Sequence, residues 1–399
     1  MGDPRSLENS LIKGSEKEFE KSEDFEQRKR DHIRWALDSR SQTSASTGLD
    51  QIDLVHEAIP DMDFSEVDIQ SSFLGKKAWN SEKKSEKISQ GDVFASPFFI
   101  SSMTAGHQQG VSLNQRLAKA CAGQGWALAV GSQRRELSDP EAGKEWSELR
   151  SMAGDQLVLI GNLGIAQVIQ SPVSAVQSLV DSLQAKALFV HMNPLQECMQ
   201  REGTPQFRGS WKALESLIQA LSVPVIVKEV GCGFSAKTIK RLLEVGVQAV
   251  DISGLGGTHW GRIEGLRAGQ GEMKAQAAET FADWGIPTLQ SLMSAVELRR
   301  QWQEKQQKDS HAWSENSISI WASGGVRHGL DAAKLLALGA ERVGFARPAL
   351  QAAMQSEEIL QKWMQTIEFE LKVALFCTGC KSLSELKEVW RWQPTIPQT

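Results

Sequence analysis

The chain has 399 residues, is 41% hydrophobic and carries a formal net charge of -5, so it can bury a large core and lacks the basic stripe that nucleic acid requires. No run of about eighteen apolar residues occurs, and the first residues are charged where a signal peptide is apolar, which predicts a cytoplasmic protein with no membrane span. Five cysteines are too few and too scattered for a disulfide framework, and the pair Cys377 and Cys380 has no second pair to complete four zinc ligands.

Residues 1–24 are rich in Glu, Lys and Ser with few apolar positions and read as a flexible tail ahead of one domain over 25–399. Arg28 to Leu37 combines dense charge with Ile33, Trp35 and Leu37, which suits a short helix. The polar stretch Asn80 to Gln90 reads as an exposed loop or hairpin tip between Phe73-Leu74 and Val93-Phe94. Eight apolar runs then follow at the spacing of βα units: Phe98–Met103, Ala127–Gly131, Leu157–Ile160, Ala187–Met192, Val225–Lys228, Ala249–Ile252, Ile318–Ala322 and Arg342–Phe345. Between them lie stretches of helical period, among them Val173–Gln184, Ser210–Leu221, Ala236–Val245 and Leu330–Leu338. Ile286 to Leu289 imitates a further strand, but Pro287 and the helical pattern of Ser291–Trp302 make it the start of a helix. Gln303–Asn316 reads as a surface insertion, and Ile359–Phe376 and Leu383–Val389 as two terminal helices joined at Gly379.

Eight strands each followed by a helix predict an α/β fold, a TIM (β/α)8 barrel with an N-terminal arm and C-terminal helices, whose strand ends share one mouth. The loops after the last two strands, Ala322 to Arg327 and Gly344 to Arg347, carry glycines that let backbone N–H groups approach an anion, where such barrels bind phosphate. Lys228 closes the fifth strand. A buried cation facing the mouth needs an anionic partner, and a reduced flavin, negative near N1, supplies one. Asn162 and Thr104, at other strand ends, offer donors and acceptors for a flavin rim. Lys228 could instead pair with Glu229, although neighbours along a strand point to opposite faces.

These strings resemble the type 2, FMN-dependent isopentenyl-diphosphate isomerases from Arg28 to about Leu386. The resemblance is carried by Arg28-Lys29-Arg30-Asp31-His32, Ser102-Met103-Thr104, Gly131-Ser132-Gln133-Arg134, Gly161-Asn162-Leu163-Gly164, Val227-Lys228-Glu229, Gly256-Gly257-Thr258 and Ala322 to Arg327. The string from His191 through Asn193 to Gln196 and Glu197, together with the early Arg28-Lys29 and His32, is its most specific part. The resemblance implies interconversion of isopentenyl and dimethylallyl diphosphates with reduced FMN and Mg2+, the flavin being reduced by NADPH or NADH, in a homo-oligomer, a tetramer or octamer. It implies that Arg28, Lys29, His32 and Arg134 hold the diphosphate with help from Ser132, Gln133, His191 and Asn193. Gln196 would lie beside the reacting carbon skeleton as the catalytic side chain, and Glu197 would take the Mg2+. FMN would rest on Ser102, Met103, Thr104, Ser132, Asn162, Lys228, Ser253, Thr258, Gly324, Gly325, Val326, Arg327, Ala346 and Arg347.

Elementary chemistry agrees with those roles. His191 and Asn193 leave one face of a strand, guanidinium groups suit a diphosphate, and Mg2+ prefers few protein carboxylates beside phosphate oxygens and water. The arm can fold over the mouth and exclude water. His259 departs from the family pattern and, with Arg262, imitates the base and arginine of FMN-dependent 2-hydroxy acid oxidases and dehydrogenases, the competing reading. Those enzymes use tyrosines to hold substrate, and this chain has none. A non-catalytic flavin or phosphate sensor is the third reading, and it need not keep Arg28, Lys29, Gln196 and Glu197 together.

Overall fold

The structure, a computed structural model, describes residues 25–74, 93–103, 108–308 and 318–393. The tail 1–24, the loop 80–90 and Thr104 lie outside the described residues.

In chain order the strands are β1 (Ile52–Leu54), β2 (Ser71–Ser72), β3 (Val93–Phe94), β4 (Phe98–Ile100), β5 (Ala127–Ala129), β6 (Leu159–Gly164), β7 (Ala187–Met192), β8 (Val225–Glu229), β9 (Ala249–Asp251), β10 (Ser319–Ala322), β11 (Arg342–Phe345) and β12 (Trp390–Trp392). Eight of them, β4 to β11, close a parallel barrel in chain order. The helices are α1 (25–37), α2 (Gln108–Gln124), α3 (Lys144–Ala153), α4 (Ile165–Gln170), α5 (Val173–Leu183), α6 (Pro194–Met199), α7 (Ser210–Ala220), α8 (Ala236–Val245), α9 (Trp260–Ala268), α10 (Met273–Thr280), α11 (Thr288–Lys308), α12 (Gly329–Ala337), α13 (Arg347–Gln355) and α14 (Glu357–Cys377). All eight expected barrel strands are present, with ends shifted by a few residues.

Local sequence explains these elements. Every residue of β8, Val-Ile-Val-Lys-Glu, is buried, as a parallel strand covered on both faces must be. In α5 the buried residues Val176, Leu179, Val180 and Leu183 repeat at helical spacing and lie against the sheet. Ser235 caps α8 by accepting from the Thr238 N–H at 3.2 Å, and Gly246 ends it in the left-handed region at φ 81°.

The barrel interior is filled by Phe99, Phe189 and Trp321, with ring centroids 5.1 to 5.9 Å apart, among small residues such as Ala127, Ala187 and Ala249. The antiparallel pair β2–β3 brings Phe73 and Phe94 under the strand N-termini, where Phe73 meets Trp321 edge-on at 5.5 Å. The base is therefore closed by aromatic packing, and the open end is the one where β-strands finish.

Two expectations are corrected. Leu383–Val389 forms no helix: Glu388 sits at φ 68°, Lys381 N–H and Ser382 Oγ turn back on the Glu385 carboxylate, and the chain runs on into β12, which pairs antiparallel with β1. Gln303–Lys308 continues α11 and is no insertion, while 309–317 lie outside the described residues. Pro287 precedes the first turn of α11 as expected, and it makes one isolated bridge to Leu255 in the loop after β9.

Candidate active site

Register sets the site. Gly164, His191, Lys228 and Asp251 are consecutive partners across β6, β7, β8 and β9, so they stand side by side at one level of the barrel mouth. Above them opens a cavity of about 440 Å³. Its lining includes every residue expected to contact substrate, cofactor or metal except Gln133 and Thr104.

The arm helix α1 crosses this mouth. Its Arg28, Lys29 and His32 line the cavity opposite Arg134, and Arg347 fixes its far end by donating to the carbonyls of Ala36 at 3.2 Å and Leu37 at 2.8 Å. Burial lowers the Lys29 ammonium to about 7, with Arg28 and Arg134 adding like charge. Such a cluster of cations stores repulsion that an anion relieves. Phe25 lies 5.2 to 5.3 Å from Arg28, Lys29 and Arg135, and its π face partly serves that end in the meantime.

Glu264, on α9 and only 1% exposed, holds the arm to the chemistry. Its Oε1 lies 3.0 Å from His32 Nε2 and accepts from Gln196 Nε2 at 3.1 Å, while Arg267 donates to its other oxygen. Burial works to raise this carboxyl, yet those three partners keep it well below the usual carboxylate range. Arg267 in turn reaches Glu202 at 3.2 Å.

On the β7 side, His191 Nδ1 lies 3.0 Å from Asn162 Oδ1. Burial, then Lys228 and Lys29, push this imidazole down to about 3, so it is neutral at ordinary pH. Asn193 donates to Gln196 Oε1 at 3.1 Å and to Glu197 Oε1 at 3.0 Å, and the Thr204 N–H holds the second Glu197 oxygen. Gln196 is thereby gripped at both ends of its amide, which fixes its orientation.

The remaining arc is built for a planar anion with a phosphate. Lys228 Nζ donates to the Glu229 carbonyl at 2.6 Å and lies 4.0 Å from Asp251 Oδ2, while the Glu229 carboxylate turns away to accept the N–H groups of Val230, Gly231 and Cys232. Asp251 is tied down by Ser323 Oγ at 2.8 Å and by the Ser253 N–H at 3.3 Å, and Ser253 itself takes the unusual φ of 33°. Gly257 packs so closely on Gly325 that a Cβ on it would stand 2.8 Å from the Gly325 backbone, so two loops form one smooth backbone wall. The N–H groups of Gly324, Gly325 and Val326 and those at the start of α13 have no protein acceptor among the described residues. Ser102 Oγ is likewise buried without a partner among them. Open donors, a close backbone approach and an under-partnered lysine are what FMN requires, and the residues fit it.

Some expected residues do other work. Gln133 is fully buried below the mouth, donating to Glu136 at 2.9 Å and accepting from the Asn162 N–H at 3.2 Å. Arg327 N–H donates to the Asp331 carboxylate at 3.0 Å, and the Arg347 guanidinium serves the arm, which leaves its backbone for an anion. His259, fully buried and outside the cavity lining, caps α9 by accepting the Arg262 N–H at 3.3 Å, with Trp284 O 3.2 Å from its other nitrogen. The base that a hydroxy acid oxidation needs is absent from that position. Cys380 lies 3.5 Å from the Thr378 carbonyl and Cys377 is free, and among the described residues no cluster of three or more metal-ligating His, Cys, Asp or Glu side chains occurs. Sequence reasoning missed Glu264, Arg267, Asp251, Gln42, which donates to Thr258 Oγ1 at 3.0 Å, and Gln200. Glu264 and Arg267 are spaced i,i+3 on an ordinary helix, so only their burial marks them.

Fold and mouth together define the flavin-binding barrel enzymes, and the family described as FMN-dependent dehydrogenase matches residues 163–393. Solved structures agree at the level of fold: the flavin-binding domain of baker's yeast flavocytochrome b2 superposes with a TM-score of 0.61 at 18% identity over 91% of this chain and 82% of that one, and a mandelate oxidase variant with 0.59 at 15% over 91% and 95%. Within that class the chain belongs to the type 2, FMN-dependent isopentenyl-diphosphate delta-isomerases. It is 52% identical to the isopentenyl-diphosphate delta-isomerase of Legionella pneumophila (strain Corby), covering 91% of this chain and 97% of that protein. The same-named protein of Bdellovibrio bacteriovorus is 49% identical over 92% and 98%, and that of Synechococcus sp. 41% over 90% and 94%.

Proposed function

We propose that this protein interconverts isopentenyl and dimethylallyl diphosphates, moving a double bond by adding a proton to one carbon and removing one from another, with no net redox change. The observation that carries the reading is one cavity that joins the under-partnered Lys228 and glycine wall on one side to Arg28, Lys29, Arg134 and the doubly held Gln196 on the other. A flavin cradle alone does not call for a cation cluster facing it.

The chain's residues divide the work. Arg28, Lys29 and Arg134 take the diphosphate charge, with Ser132, His191 and Asn193 beside them. With its Nδ1–H donating to Asn162 Oδ1, the neutral His191 can donate to the anion only by taking up a proton at Nε2, which a nearby diphosphate favours. Gln196, fixed by Asn193 and Glu264, orients the carbon skeleton, and the arm closes over it to keep water from a carbocation-like species. Lys228 steadies negative charge on the reduced ring, and bound reduced FMN supplies the acid–base group that the carboxylates and imidazoles of the mouth do not.

Mg2+ fits Glu197, a single buried carboxylate on the cavity lining anchored by Asn193 and Thr204. NADPH or NADH as reductant, a cytoplasmic setting and a homo-oligomer of four or eight copies complete the reading; among the described residues no helix is long and apolar enough to cross a membrane. The test is anaerobic conversion of isopentenyl diphosphate with Mg2+, comparing oxidised with prereduced FMN. Turnover with reduced FMN alone supports the reading, and no turnover in either state, with flavin bound, sinks it.

A further inference from the structure

Gln200 is a side chain of the mouth whose chemistry the reading above leaves unused. It is only 7% exposed, lines the cavity, and its amide has no hydrogen-bond partner among the described residues. Neither amide atom is sealed off from the cavity, so the group opens on it with its polar atoms available to a ligand. The backbone around it is firmly held: Gln200 N–H donates to the Gln196 carbonyl at 2.8 Å, and its own carbonyl accepts from Lys274 Nζ at 2.6 Å. The side chain is therefore placed, not loose.

Gln200 stands one helical turn beyond Glu197, on the same side of α6, so both side chains enter the cavity from one face. Positive groups that suit the diphosphate itself gather opposite, on the arm and at Arg134. An amide oxygen is a hard, neutral donor of the kind Mg2+ accepts beside one carboxylate. We propose that Gln200 Oε1 is a second protein oxygen for the divalent cation taken by Glu197, with its amide N–H groups free to donate to a diphosphate oxygen of the same cation complex. This rests on the metal reading given under Proposed function.

The experiment measures Mn2+ binding to the FMN-loaded protein, with and without inorganic diphosphate, by electron paramagnetic resonance and by water-proton relaxation. Gln200→Leu is expected to weaken Mn2+ at least tenfold and to raise the relaxation enhancement, because a water replaces the lost amide. Gln200→Glu is expected to bind Mn2+ at least as tightly as the unaltered protein, which separates loss of a ligand from loss of the fold. A Gln200→Leu protein that keeps its flavin and binds Mn2+ within threefold of the unaltered protein, with unchanged relaxation, overturns the proposal alone. Absence of Mn2+ binding by the unaltered protein overturns the metal reading and this proposal together.

Discussion

Two cations are buried at opposite ends of the barrel, and they are treated differently. At the base, Arg342 is fully buried and each nitrogen of its guanidinium has an acceptor: it donates to the carbonyls of Phe73 at 3.0 Å and of Ser96 and Ser72 at 3.4 Å, and lies over Phe73, Phe94 and Trp321 at 4.8 to 5.7 Å. At the mouth, Lys228 has one carbonyl, a carboxylate at 4.0 Å and the distant face of Phe189 at 5.8 Å. Burial lowers both groups, Arg342 to about 9. A buried charge with every nitrogen engaged holds a structure together. One with donors to spare is kept for something that arrives.

Substitution at the two ends should separate these roles. The largest effect is expected from Arg342→Met, which empties the base and strands several carbonyls, at a cost of about 3 to 4 kcal/mol. Chemical denaturation of the flavin-loaded protein measures it, and a change under about 1 kcal/mol would erase the contrast. Lys228→Met should leave that stability nearly intact while weakening FMN, read by fluorescence titration, by about a hundredfold, or roughly 3 kcal/mol.

Glu264→Gln comes next. The amide keeps one acceptor oxygen where the carboxylate had two, so either Arg267 or the His32–Gln196 pair faces an NH2 group, and KM for isopentenyl diphosphate should rise roughly tenfold and kcat fall by a similar factor. Equal kinetics in the variant would show that the arm is not held through this carboxylate.

The pH dependence sharpens the mouth further. Lys29 sits near 7 before an anion arrives, and a bound diphosphate raises it by favouring the charged form. Below 7 the lysine is already charged and affinity is at its best; above 7 binding must take up a proton, so affinity falls as pH rises. Calorimetry at pH 8 in buffers of different ionisation enthalpy should show that uptake, and Lys29→Met should lose its share. The smallest effect belongs to His259→Ala, which removes a helix cap worth about 1 kcal/mol of stability and should leave most isomerase activity in a steady-state assay.

How much of this the sequence disclosed follows from what is local. The barrel strands were legible because parallel strands are apolar along their whole length and each ends in a polar signature. His191, Asn193, Gln196 and Glu197 were legible because one strand and one helix turn bring them together. Gln133 was misplaced by its neighbours: Ser132 and Arg134 share one side of the chain, and the residue between them points inward. Glu264 and Arg342 depend on partners 232 and 269 residues away, and no spacing announces them. The β1–β12 ribbon was hidden for the same reason, since its pairing joins the two ends of the described chain.

Arg347 ties the arm to the start of α13, and Glu264 ties it to Gln196, so the arm is not a detachable module. Grafting residues 25–37 onto another flavin barrel would transplant a helix without its two moorings, which lie 232 and 310 residues further along the chain. A designer who wants this lid elsewhere has to move three distant pieces of sequence as one part.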